Sequence, residues 1–298
     1  MAVAGRAATF GRDSKEDSKM KEPLRDSKAD VASQVNAYLS RTGLLSAPRD
    51  LATLDEMVLA PQIRRRLSRV VLEQSRKAAL IARGLHPARK LLFSGPPGTG
   101  KTMAAGAVAR SIGMPMFRIE PHGVFSRWFG ESANRLAKIF EYVRLMPGVY
   151  LFDEFDSVGA DRAAIGSEAD GGEARRVVNA LLQFIGDDQS SSVIVAATNH
   201  AQMLDTAIFR RFDETIVFEP LAKTELIELV QRKLAGFATE LLDFDAICNV
   251  SSELGHSDLC SALDRACKDH VLEGVSISTR HIIEGIENRT ALTRDVLK

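Results

Sequence analysis

The chain carries no net charge, one tryptophan, three cysteines and no long apolar run. Lysine plus arginine equals aspartate plus glutamate, at 39 each in 298 residues. That balance argues against a whole-surface nucleic-acid binder and leaves room only for a local basic patch. No apolar stretch approaches the roughly 20 residues of a membrane-spanning helix, so no membrane span is expected. Cys248, Cys260 and Cys267 are odd in number and fit no common zinc spacing, which points to reduced thiols. Met1 to Arg12 is free of acids, but Asp13, Glu16 and Asp17 follow and no signal-peptide core is present. A cytoplasmic location is expected. What the chain does have is ordinary for a globular protein, 45% hydrophobic and 26% charged residues.

One stretch organises the rest. The apolar run Leu91 to Phe93 stops at Gly95-Pro96-Pro97-Gly98-Thr99-Gly100-Lys101-Thr102, which matches the phosphate-loop pattern. The run reads as a buried parallel strand. The glycines let backbone N–H groups turn inward around an anion, where a Cβ would block them. Lys101 then supplies a charge to the phosphates and the Thr102 hydroxyl a ligand for Mg²⁺. A helix starting near Lys101 offers its unpaired N–H groups to the same anion. The competing reading is an ordinary Gly/Pro turn. The strand, the glycines, the Lys-Thr pair and the helical run Met103 to Arg110 together oppose it.

Along the chain, residues 1–30 repeat Asp-Ser-Lys three times and hold few large apolar groups, so disorder or a solvated helix is expected. Val31, Val35, Tyr38 and Leu39 recur at helical spacing, with Gly43 as a stop. That helix either packs on its own domain or docks a partner. Pro61 opens a helix running to Arg83 and ending at Gly84. Strands follow at Met116 to Ile119, Val149 to Asp153, Val193 to Thr198 and Thr215 to Phe218. Helices lie between them at Glu131 to Leu145 and Glu173 to Ile185. This alternation predicts an α/β domain with a mostly parallel sheet covered on both faces. Past Pro220 every apolar run is helical: Lys223 to Ala235, Asp245 to Val250, Ser257 to Glu273 and Thr279 to Glu287. The expected division is a charged tail over 1–45, an α/β nucleotide domain over 46–220 and a small all-α lid over 221–298.

Three further segments carry chemistry. The strand Val149 to Phe152 ends in Asp153 and Glu154. Beside a phosphate loop, Asp153 is placed to hold Mg²⁺ and Glu154 to deprotonate an attacking water. The strand Val193 to Thr198 ends in Asn199, whose amide both donates and accepts and can hold that water. Arg210 and Arg211 precede another strand. They either solvate the surface or serve a neighbouring subunit's γ-phosphate, where a trans arginine contributes about 10³ to 10⁵ in rate.

These pieces, in this order, resemble the AAA family of ATPases over about residues 50–290. Residues 95–102 resemble its Walker A motif, 151–156 its Walker B, 196–199 its sensor 1 and 204–221 its second region of homology. The resemblance implies ATP and Mg²⁺ as cofactors. It implies nucleotide contacts from Gly95, Pro96, Pro97, Gly98, Thr99, Gly100, Lys101, Thr102, Met103, Val58 and Gly255, the last at the start of a lid helix. It puts the metal on Thr102 and Asp153, and catalysis on Lys101, Glu154 and Asn199, with Arg210 and Arg211 on the arginine-finger positions. Trp128 and Phe129 fall on the family's aromatic pore segment, with residues 159–172 as a second pore-facing loop. The implied activity is that of a ring-forming ATPase, a hexamer, that remodels, unfolds or disassembles a protein substrate. Two other readings stand beside it: an ATP-driven switch activating a separately encoded protease or effector, and a DNA-handling ATPase, against which the neutral charge speaks. Two departures stand out. The two arginines are adjacent where many members separate them, and no sensor 2 arginine matches in the lid.

Overall fold

A computed structural model of the protein describes residues 37, 41, 43–48, 50–120, 124, 131–154, 168–203, 206–251 and 255–296. The helix expected over Val31 to Leu39, apart from the single position 37, and the pore segment at Trp128 and Phe129 lie outside the described residues.

A six-stranded sheet forms the centre, in the order β1-β3-β4-β5-β2-β6. Its strands are β1 (Leu45–Ser46), β2 (Lys90–Ser94), β3 (Met116–Ile119), β4 (Val149–Phe152), β5 (Val193–Thr198) and β6 (Glu214–Val217). All pairings are parallel except that of β1 with β3. The helices are α1 (Pro61–Ser75), α2 (Lys77–Ile81), α3 (Lys101–Ile112), α4 (Glu131–Leu145), α5 (Glu168–Asp187) and α6 (Thr206–Phe209). Beyond the sheet follow α7 (Lys223–Leu234), α8 (Phe244–Ser251), α9 (His256–Glu273) and α10 (Thr279–Val296).

Alternation along the strands divides the core into two layers, because successive side chains point to opposite faces. Leu91 and Phe93 face a cluster with Leu67, Ala104, Ala107 and Val108 from α1 and α3. Leu92 faces the other side, with Leu136, Ile139, Phe140 and Ile185 from α4 and α5. Six residues of α3, Ala104 to Ala109, are buried in succession. Small side chains let this helix pack closely: a Cβ on Gly106 would stand 2.9 Å from Leu51 Cδ2, ahead of α1, and 3.4 Å from Met116 Sδ of β3. A third cluster, with Val230, Ile247, Leu263, Ile282 and Ile286, uses only residues after 220.

Several elements differ from the sequence expectation. The helix from Pro61 breaks at Arg76, whose φ of −104° and ψ of 18° are not helical, so α1 and α2 are separate. The stop at Gly84 does occur: Gly84 N–H donates to Ile81 O at 2.9 Å and Leu85 N–H to Leu80 O at 3.0 Å, the pairing of a glycine-ended helix. Helix α5 begins at Glu168, so residues 168–172 are helical and not part of a loop. Extending an existing helix over Gly171 and Gly172 costs only about 1 kcal/mol per glycine, which the long amphipathic run behind them offsets. Finally, β1 was not anticipated; a strand of two residues is too short for alternation to reveal it.

Candidate functional site

The phosphate loop leaves the C-terminal end of β2 between the ends of β5 and β6. Gly95 has a φ of 142°, and a Cβ on it would lie 2.0 Å from Phe218 O just after β6. Gly95 N–H donates to Thr198 O of β5 at 3.3 Å. Gly98 and Gly100 hold φ values of 75° and 92°, in the left-handed region that glycine alone adopts cheaply. The Thr99 hydroxyl donates to Pro96 O at 2.8 Å and closes the turn. Lys101 is buried, and its ammonium donates to Gly95 O at 2.7 Å and Pro96 O at 2.8 Å. The chain thus curls around a lysine head at the N-terminus of α3, the positive end of that helix's dipole.

The acids stand beside it. The Thr102 hydroxyl donates to Asp153 Oδ2 at 2.7 Å, and Asp153 is buried. Asp153 Oδ1 accepts from Glu154 N–H at 3.1 Å. Arg118 Nη2 lies 3.5 Å from Asp153 Oδ2. Glu154 is exposed and has a φ of 50°, the positive φ of a non-glycine among the described residues. Such backbone is strained and often marks a working residue. Asn199 follows Thr198 at the end of β5, half-buried. The register places it level with Gly95, since Ser94 pairs with Thr198. Because β5 lies between β2 and β4, Asn199 falls between the phosphate loop and the acids.

Among the described residues no group of three or more His, Cys, Asp or Glu could hold a metal by itself. One carboxylate and one hydroxyl, both oxygen donors, are what Mg²⁺ takes when phosphate oxygens and waters complete its shell. The donor set therefore fits Mg²⁺ delivered with a nucleotide, and fits zinc poorly.

A cavity of about 260 Å³ adjoins the loop, with Met57, Val58, Thr99, Met103, Leu221 and His256 among its walls. Its mainly apolar lining with a few polar groups suits a flat aromatic base. Sequence reasoning named Val58, Thr99, Gly100 and Met103 of this wall. It missed Met57 and Leu221, although Leu221 directly follows the Pro220 at which the chain turns helical. Gly255 lies against the loop itself, where a Cβ would stand 3.3 Å from Pro97 O. Ser257 N–H donates to Gly98 O at 3.3 Å, so α9 begins on the phosphate loop. His256 Nε2 accepts Leu221 N–H at 2.9 Å, which puts the ring proton on Nδ1. Burial pushes the His256 pKa below its ordinary value.

Arg210 and Arg211 are exposed and stand elsewhere. Asp213 N–H donates to Lys90 O at 2.8 Å, so the arginines lie at the N-terminal end of β6 and β2. The phosphate loop is at the opposite end, roughly 13 Å of strand away. The Arg211 guanidinium rests on α5, where a Cβ on Gly186 would come within 2.5 Å of Nη1. Within one chain the structure gathers Lys101, Thr102, Asp153, Glu154 and Asn199, and leaves the two arginines out.

Comparison with known proteins follows the same lines. Residues 91–220 match the model of the ATPase family associated with various cellular activities (AAA). The chain is 36% identical over 213 residues to an uncharacterized AAA family ATPase, y4kL, of Sinorhizobium fredii, covering 72% of this chain and 62% of that protein. It is 39% identical over 153 residues to Protein SAV of Sulfolobus acidocaldarius, covering 50% of this chain and 19% of that one. It is 30% identical over 206 residues to the 26S proteasome regulatory subunit S10B homolog B of Arabidopsis thaliana, covering 67% and 52%. The chain thus spans less than two thirds of each relative's length. The FIGL-1 AAA domain has a similar fold, with a TM-score of 0.63 at 22% identity over 85% of this chain and 88% of that one.

Proposed function

Residues 91–220 make this chain a member of the AAA family of ATPases, and we propose that it hydrolyses ATP at a seam between subunits of a ring, a hexamer, and uses the cycle to remodel or unfold a protein substrate. The observation that carries the reading is the split between the two halves of the site. Lys101, Thr102 and Asp153 converge on one point, with Thr102 Oγ1 2.7 Å from Asp153 Oδ2, while Arg210 and Arg211 sit at the far end of the same strands. An arginine that cannot reach its own chain's phosphates is available to those of a neighbour.

In this mechanism the N-terminal amides of α3 and the Lys101 ammonium bind the β- and γ-phosphates. Thr102 and Asp153 would hold Mg²⁺, which would supply positive charge against that developing on the transferred phosphoryl group. Glu154 takes a proton from the attacking water, and the Asn199 amide orients that water. Arg210 and Arg211 of the next subunit stabilise the transition state. The cavity beside Val58, Met103 and His256 receives the adenine, so α9 and the segment after 220 would report what the phosphate loop holds.

Two things support a protein substrate. One relative's name places it in a proteasome regulatory assembly. The aromatic pair Trp128 and Phe129 precedes α4 in the sequence, and such a pair in each subunit would grip an extended polypeptide without reading its side chains. The same name keeps the second reading open, that of a switch acting on a partner protease or effector. Among the described residues no helix is long and apolar enough to cross a membrane, and the proposed setting is cytoplasmic.

The test uses Glu154→Gln and Trp128→Ala. Glu154→Gln should retain ATP binding, lose at least about 10²-fold in hydrolysis and stay assembled with ATP. A monomeric Glu154→Gln with ATP would overturn the shared seam. Trp128→Ala should keep ATP turnover and lose unfolding of an added protein substrate; unfolding at the parent rate would remove threading and favour the switch.

A further inference from the structure

The nucleotide chemistry above leaves one cation at the acids without a role. Arg118 stands on β3, paired in register with Leu151 of β4. Asp153 lies two residues beyond Leu151, so its side chain falls on the same face of the sheet. Arg118 Nη2 is 3.5 Å from Asp153 Oδ2. That is the oxygen on which the Thr102 hydroxyl also rests, at 2.7 Å. The Arg118 side chain is 41% exposed and the Asp153 side chain 9%. Arg118 Nε, by contrast, is buried and has no hydrogen-bond partner. A buried donor left unpaired is costly, so the charge pairing at the head of the side chain is what holds the stem in place.

We propose that Arg118 and the divalent metal compete for the Asp153 carboxylate, so that Arg118 sets how much Mg²⁺ the site requires and turns away metal that arrives without nucleotide. The proposal rests on the nucleotide reading of the site. Its physics is simple. A guanidinium stays ionised at every relevant pH. A divalent ion approaching the same oxygen meets its repulsion within a few ångströms, in a place poorly screened by water. Seating the metal requires the guanidinium to move off. Its exposed portion allows this, and the phosphates of a bound nucleotide offer it a new partner with good charge complementarity. Free metal offers no such exchange, and metal bound to a nucleotide does.

The experiment compares the full chain with Arg118→Met, which keeps the stem and removes the charge, with Arg118→Gln as a second uncharged form and Arg118→Lys as the charged control. Two readouts are taken: binding of a fluorescent ATP analogue across a Mg²⁺ titration, and binding of Mn²⁺ alone by electron paramagnetic resonance. Arg118→Met and Arg118→Gln should reach half-maximal nucleotide binding at about tenfold lower Mg²⁺ and bind Mn²⁺ without nucleotide. The parent and Arg118→Lys should do neither. An unchanged or higher half-maximal Mg²⁺ concentration in both uncharged variants, with no Mn²⁺ bound in the absence of nucleotide, overturns the competition. Failure of the underlying reading is distinct: the parent would then bind no nucleotide at any Mg²⁺ concentration, or Lys101→Ala would bind it as well as the parent.

Discussion

At position 95 a single methyl group decides whether the phosphate loop can lie where it does. The Cβ of an alanine there would stand 2.0 Å from a backbone carbonyl, that of Phe218, which cannot step aside without moving β6. Gly95→Ala should therefore cost about 3 kcal/mol or more, read as a lowered melting temperature along with lost nucleotide binding. Lys101→Ala is a different kind of change. It should leave the fold near the parent's stability and weaken ATP binding at least about 100-fold by calorimetry, since it removes a charge-assisted contact to phosphate. Asp188 gives a third case. Its carboxylate is fully buried against the Arg89 guanidinium, which also donates to the Asp188 carbonyl. Asp188→Ala leaves a half-buried cation without its partner and should cost about 3–5 kcal/mol in denaturant unfolding. The glycines and Lys101 were legible in the sequence because their spacing is itself the signal. Asp188 was not, because its partner lies 99 residues away and nothing local marks either one.

Between elements, the junction of α9 with the end of the sheet has a built-in pH response. His256 accepts the Leu221 N–H on Nε2, sits at a helix N-terminus and is half-buried. Burial lowers its pKa, and the positive end of α9 opposes a second proton in the same sense. A histidine with a lowered folded pKa favours the native state fully above its ordinary pKa of about 6.5 and loses that contribution as pH falls toward the folded value. The α9 junction should therefore loosen as pH falls below about 6.5, followed as a fall in melting temperature, and His256→Gln should flatten that fall. Other elements read unevenly from sequence. The apolar run of β5 is bounded by turn residues, and its limits and those of β3 match the sequence expectation, while β2 extends one residue past each end of its apolar run. The break at Arg76 was not legible, since helical spacing continues across it and only the backbone angles show it, and the helical start at Glu168 was not, since Gly171 and Gly172 read as loop residues.

Across the whole molecule, the parallel sheet separates the phosphate loop from Arg210 and Arg211 by the length of its strands, and a shared seam follows if both act in hydrolysis. Replacing both arginines by alanine should cut ATP turnover about 10³- to 10⁵-fold while leaving nucleotide affinity close to the parent's. Mixing that variant with Lys101→Ala should restore part of the activity, because an intact phosphate loop then meets a neighbour with intact arginines; no restoration at any ratio would mean that each chain completes its own site. The sequence alone determined the phosphate loop, the acid pair at the end of β4, the terminal Asn199 and the two faces of the sheet. These depend on contiguous residues or on a period of two, both visible in one dimension. Only the tertiary structure decided that Arg118 shares an oxygen with Thr102, that His256 closes a cavity against Leu221, and that the arginines lie at the far end of the strands from their own chain's Lys101. Each of those rests on strand order and register, which bring together or hold apart residues whose separation along the chain carries no local trace.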